Sequence, residues 1–156
     1  MSMGNVSAQE KQTVTIKSSA ENSKFTQSLN ISIGDKPNHI MRTFEVHRTF
    51  TSDSPVINGL KIVEECDRGI AELVDGNGTS IVYDVFVMEN GDQFTVRAAT
   101  VVQNISGKTT VTEVGQIESG TGRLAGIRGA LRGSTNIDLK SGFNESQSVI
   151  DYAISK

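Results

Sequence analysis

An all-β fold, with an antiparallel sheet of short-looped strands, is what this sequence predicts, and three observations predict it. Apolar and polar residues alternate along most of the chain, as in Phe94, Val96, Ala98 against Gln93, Thr95, Arg97, the period of a strand with two unlike faces. Asn-Gly and Asp-Gly pairs stand between the alternating runs at Asp75-Gly76, Asn77-Gly78 and Asn90-Gly91; such residues tolerate the positive φ of tight hairpin turns. No convincing helix period occurs, and glycines interrupt the segment that comes nearest to one, between residues 117 and 133.

Taken in order, residues 1–11 read as a flexible tail and residues 12–156 as a single domain. Gln12 to Lys17 alternates around Val14 and Ile16, and Leu29, Ile31 and Ile33 repeat the pattern before a Gly34–Asn38 turn. Residues 39–51, HIMRTFEVHRTFT, form a long strand. Leu60–Cys66 and Ile70–Val74 read as one strand with a bulge near Asp67–Gly69. Hairpins then connect Ser80–Met88, Gln93–Val102 and Thr109–Ile117, and Ala130–Leu139 and Ser146–Ile154 complete the set. About eight strands with short loops suit either a closed barrel or a sandwich.

Composition narrows the function classes. With 156 residues and a formal net charge of −3, the chain has no basic face for nucleic acid. It has no apolar run long enough for a membrane helix and no apolar leader, so the expected location is the cytoplasm. The single cysteine, Cys66, excludes an intramolecular disulfide, and its acidic neighbours Glu65 and Asp67 argue against a nucleophile. Glu64 and Glu65 are adjacent, so they point to opposite faces and cannot form a dyad. His39 and His47 stand eight residues apart, about 26 Å along a strand, too far to share a metal. No metal and no cofactor is expected.

The stretch IESGTGRLAGIRG, Ile117–Gly129, formally fits the glycine fingerprint of a dinucleotide-binding turn. That fingerprint needs a helix opening on it, and Gly126, Gly129 and Gly133 forbid one. The glycines read as a strand connection, with Leu124 and Ile127 plugging one end of the fold.

The run VYDVFVMENGDQFTVRAATVV, the later VTEVGQIESGTGRLAGIRGALRG and the final SVIDYAIS resemble the allene oxide cyclase-like barrels, a grouping that includes the dirigent proteins. The likeness spans residues 40–155 and lies nearest uncharacterised bacterial members. It implies a closed barrel of about eight strands, a homo-oligomer (trimer or dimer), and a cofactor-free cyclase or isomerase that folds a small, largely apolar metabolite in its lumen. A non-catalytic or dirigent-like binding barrel is the alternative.

The resemblance places Glu45 at the family's cavity acid and His47 where the family has a polar amide. Ala71 and Thr100 stand where the plant cyclases have a cysteine and a tyrosine, which leaves the substrate class open. Alternation, by contrast, puts Glu45 with Met41, Thr43 and His47 on one face and Phe44, Val46 and Phe50 on the other. On pattern alone the second face is inner; if Glu45 is buried instead, its pKa should rise. Tyr83 is a candidate hydrogen-bond donor near Glu45, and Tyr152 a second. Phe94, Val96, Ala98 and Thr100 are the expected substrate-lining residues, although alternating sizes also fill a taper.

Overall fold

The computed structural model describes residues 10–155. The tail expected at residues 1–11 lies, apart from Glu10 and Lys11, outside the described residues. The strands are β1 (Gln12–Ser18), β2 (Ser23–Ser32), β3 (His39–Thr49), β4 (Val56–Ile57), β5 (Leu60–Val74), β6 (Asn77–Met88), β7 (Gln93–Ile105), β8 (Lys108–Gly120), β9 (Ile127–Asp138) and β10 (Phe143–Ile154). Every pairing is antiparallel, in the order β1-β10-β9-β8-β7-β6-β5-β3-β2, with short β4 beside β5.

The two ends of this order, β1 and β2, are sequence neighbours joined by one turn of 3-10 helix at Ala20–Asn22. The sheet must therefore curl until its edges meet at that corner, where the hydroxyls of Ser18 and Ser23 are 2.7 Å apart. No ladder joins β1 to β2. The expected closed barrel of about eight strands is thus corrected to ten strands in a curled sheet left unclosed. The physical reason lies in β2: a bulge between Phe25 and Gln27 breaks its register, and its residues after Ser23 are all exposed.

The hairpins form where Asn and Gly allow them. Asp75 (φ 51) and Gly76 (φ 78) both take positive φ between β5 and β6, the geometry that matches the twist of paired strands. The bulge expected at Asp67–Gly69 is absent; β5 runs through those residues, and its irregularity lies between Ile62 and Glu64. That slip changes the parity of β5. Leu60 and Ile62 point inward before it, and Glu65, Asp67, Ala71 and Leu73 after it.

The interior has two layers. One end is a packed plug of Phe86, Phe94, Met88, Ile62, Leu124 and Ile127, all at most 1% exposed. The rings of Phe86 and Phe94, opposite each other on β6 and β7, stack with centroids 4.6 Å apart. Burying each such side chain contributes about 1.5–3 kcal/mol. Toward the other end the curl leaves a hollow of about 620 Å³, walled by residues such as Phe44, Val46, Leu73, Val82, Val102 and Val111.

The Ile117–Gly129 turn serves the plug. After β8, Gly122 takes φ +51 and a 3-10 turn, Gly122–Leu124, swings Leu124 inward. Strand β9 resumes at Ile127. The backbone N–H groups there are already engaged: Arg123 N donates to Asp92 Oδ2 (2.9 Å), Leu124 N to Thr121 O (2.8 Å) and Ala125 N to Gly122 O (3.1 Å). A carboxylate occupies the position a phosphate would need, which removes the nucleotide reading.

Candidate functional site

Strand alternation decides which side chains meet. On β3 the inward set is Phe44, Val46 and Arg48, while Glu45 and His47 face outward. The expectation from the resemblance that Glu45 enters the lumen is therefore corrected; the apolar pattern of the strand prevails, because turning Glu45 inward would turn Phe44 and Val46 into water. The Glu45 carboxylate accepts from Thr26 Oγ1 (2.6 Å) and from Arg68 Nε (2.7 Å). These bonds, Thr26 first, lower its pKa rather than raise it. Tyr83 is also on the outer face, 46% exposed, one strand beyond Arg68 in the same registered row. Glu45 and Tyr83 thus share an outer trough, and His47 stands outside against Glu64, 3.5 Å away.

The expected lining residues separate in the same way. Phe94, Val96, Ala98 and Tyr152 are inward but belong to the packed plug, not to the wall of the hollow. Tyr152 donates its hydroxyl to Gln12 Oε1 (2.5 Å) and accepts from Asn58 N (3.3 Å), a structural pairing. Only Thr100 reaches the hollow, its hydroxyl 2.5 Å from that of Ser80.

What fills the boundary between plug and hollow is a charged floor. Arg48 (β3), Glu65 and Asp67 (β5), Asp84 (β6), Glu113 (β8) and Asn144 (β10) converge there. The Arg48 guanidinium donates through Nη1 to Asp67 Oδ2, lies 3.6 Å from Glu65 Oε1, and donates through Nη2 to Asn144 Oδ1 (3.3 Å). Burial opposes its charge, but Asp67 and then Glu65 more than offset that and raise its pKa. Asp84 and Glu113 lie close enough that each shifts the other's protonation. Two carboxyls so placed out of water favour keeping one proton between them.

Four carboxyls facing one guanidinium cannot all ionise out of water. Burial, reinforced by Asp67, pushes both Glu65 and Asp84 well above the usual carboxylate range. Burial also raises Glu113, opposed by its bond to Asp84. Several polar atoms on this floor have no partner among the described residues: Asp84 Oδ2, Asp67 Oδ1, Glu65 Oε2, Asn144 Nδ2 and Arg48 Nε. Asp84, Asp67 and Asn144 are 2%, 8% and 1% exposed, and all three line the hollow. The arrangement places carboxyls, their pKa raised by burial, side by side beneath an apolar chamber, the direction of shift that suits general acid–base work.

Sequence reasoning passed over this floor, yet part of it carries a signal. Asp84 alternates in phase with Val82, Phe86 and Met88, a single acid on an otherwise apolar face, and Arg48 does the same after Phe44 and Val46. Glu65 and Asp67 were hidden by the parity slip in β5. Cys66 lies between them on the outer side of the strand, half-buried; burial raises its thiol pKa, with Arg68 opposing and Glu45 adding. Among the described residues no helix is long and apolar enough to cross a membrane. Searches with the chain matched no protein-family model, no curated protein and no solved structure.

Proposed function

We propose that the chain is a cofactor-free isomerase or cyclase acting on a small, largely apolar molecule in the hollow, with Asp84 and Glu113 as the acid–base pair. This keeps the activity class implied by the resemblance to allene oxide cyclase-like barrels and moves its chemistry from Glu45 to the floor. The observation that carries it is Asp84: a residue 2% exposed that lines the chamber and whose Oδ2 has no hydrogen-bond partner among the described residues. An isomerisation needs one proton delivered and one removed, and the shared proton of Asp84 and Glu113 supplies both roles from one site. The apolar walls would fold a flexible substrate over that pair, and positioning of this kind lowers a barrier by several kcal/mol. Asp67 and Arg48 are positioning residues that hold the floor's charge in place.

The test is conversion in a metabolite extract followed by mass spectrometry. Wild-type protein should deplete one species and produce an isomer of equal mass, while Asp84→Asn and Glu113→Gln, folded by circular dichroism, should lose that conversion 10²–10⁴-fold. A species retained by the protein but never converted overturns catalysis and leaves a non-catalytic binding protein.

A second copy of the chain is proposed on the outer face. Leu29, Ile70, Ile81 and Val114 lie in one registered row across the sheet, with Ile31, Met41 and Val101 in the next. All seven are at least 40% exposed, a cluster of exposed apolar side chains of the kind that marks interaction surfaces. Arg97, in the row beyond the first, and Glu72, within the second row, can match opposite charges when two belts meet about a two-fold axis.

A further inference from the structure

The charge balance of the floor says more about the ligand than its shape does. Of the six polar side chains that converge there, four are acids, one is Arg48 and one is Asn144. Both terminal nitrogens of Arg48 are engaged, Nη1 by Asp67 with Glu65 beyond and Nη2 by Asn144. Asp84 and Glu113 therefore have no cation of their own. Among the described residues the other cation lining the hollow is Arg42, three rungs higher on β3, about 20 Å along the strand from Arg48 at ordinary strand rise, and it is tied to Asn30 Oδ1 (2.7 Å). The walls between are apolar: Phe44, Val46, Val82, Val102 and Val111. A carboxylate-bearing ligand would meet like charge at the floor, and a wholly apolar one would leave Asp84 Oδ2 and Asp67 Oδ1 without partners at a cost of about 1–3 kcal/mol each.

We infer that the hollow takes an apolar molecule bearing a basic nitrogen, seated with its ammonium on Asp84 and Asp67 and its hydrocarbon part against the Val82–Val102–Val111 wall. The inference rests on the hollow being a ligand site, as proposed above. Binding replaces one positive charge by another. The ammonium enters, the proton held between Asp84 and Glu113 leaves to solvent, and the floor becomes the doubly ionised pair that the cation compensates. The ammonium also donates to the two oxygens that lack partners. Asn144 Nδ2 remains available to an acceptor on the same molecule.

The experiment compares three probes of one skeleton: 4-phenylbutylamine, 4-phenylbutan-1-ol and 4-phenylbutyrate. Binding is measured by calorimetry between pH 6 and pH 9, each in two buffers of different ionisation heat. The amine is expected to bind at least tenfold tighter than the alcohol at pH 8, with the butyrate weakest. Its affinity should rise with pH by up to tenfold per unit while the floor still holds its proton, and the buffer dependence should report about one proton released. Asp84→Asn or Glu113→Gln should abolish the proton release, and Val102→Trp, which fills the chamber well above the floor, should abolish binding of every probe. An alcohol that binds as tightly as the amine, or amine binding with no proton released, overturns the amine preference while the hollow stands as a ligand site. If no probe binds, or if Val102→Trp changes nothing, the ligand site itself is wrong and the inference falls with it.

Discussion

Replacing Asp84 by Asn should make the protein more stable near neutral pH, and the size of the gain follows from the floor. Asp84 is buried on β6 with Asp67 opposite it on β5, and Glu113 is close enough to raise its pKa further. Its carboxyl, raised by burial and then by Asp67, keeps its proton in the folded state well past the pH at which the unfolded chain loses it. Between those two values the native state binds more protons than the unfolded state, so stability falls as pH rises. The slope for one group is about 1.4 kcal/mol per pH unit. Asn has the same shape, donates to Glu113 as the protonated acid does, and has no proton to lose. Wild type and Asp84→Asn should therefore be of similar stability near pH 4 and diverge above it, the variant gaining about 1.4 kcal/mol for each unit over which native Asp84 stays protonated. Urea unfolding at intervals from pH 4 to pH 9 measures this directly. Parallel curves, or an Asp84→Asn protein less stable by 2 kcal/mol or more at pH 7, would mean that Asp84 is ionised and paired in the fold, and the shared-proton reading would be wrong.

Other outcomes follow from single contacts. Gly122→Val should destabilise by about 1–3 kcal/mol, because Gly122 sits at φ +51 and an added Cβ would collide with the Asp92 carboxylate; unchanged thermal stability would refute the strand-connection role. Ile81→Lys, at the middle of the outer belt, should turn an oligomer into a monomer by sedimentation velocity at micromolar concentration, and a monomeric wild type would dismiss the belt as an interface. His39 is bonded to Asp35 (2.5 Å) and Glu72 (3.1 Å), Asp35 the larger influence, and both raise its pKa. Its contribution to stability is present in full below about pH 6.5 and fades as pH rises through the higher native value. His39→Gln should therefore cost more at pH 6 than at pH 9, and an equal cost at both would contradict the pairing.

Strands were legible because alternation and turn chemistry agree along this chain. Asp75-Gly76, Asn90-Gly91 and Ser106-Gly107 sit where the hairpins turn, and the long strand expected at residues 39–51 is His39–Thr49. Closure was not legible, since it depends on whether β1 and β2 form a ladder, and nothing local in either strand encodes its partner. Strand β4 is two residues long and carries too little pattern to see. The first half of β2, Ser23–Gln27, is polar throughout except Phe25 and gains its strand form only from pairing with β3. The site was half legible. Alternation put Phe44 and Val46 inside and Glu45 outside, and the structure follows it rather than the resemblance. The parity of Glu65 and Asp67 was not readable, because a one-residue slip between Ile62 and Glu64 inverts every later side chain of β5.

The two faces of the sheet divide polarity in an unusual way, and that division links the fold to the proposed chemistry. A curled sheet normally places apolar residues inside and charges outside. Here the outer row Leu29, Ile70, Ile81, Val114 is exposed hydrocarbon, while Arg48, Glu65, Asp67 and Asp84 are each under 9% exposed. Both departures lower the stability of an isolated chain: the belt forfeits burial, and the floor holds carboxyls that resist ionisation. A charged floor contributes less to folding than well-packed apolar residues of the same volume would. Its retention above a plug already sealed by Phe86, Phe94 and Leu124 is therefore better explained by something it does than by something it supports. The same reasoning separates the two surfaces by experiment. Substitutions in the belt should alter assembly and leave the pH dependence of stability intact, whereas substitutions in the floor should alter that dependence and leave assembly intact. A belt variant that shifted the slope contributed by Asp84 would show that the floor is sealed by a neighbouring copy rather than by this chain's own plug.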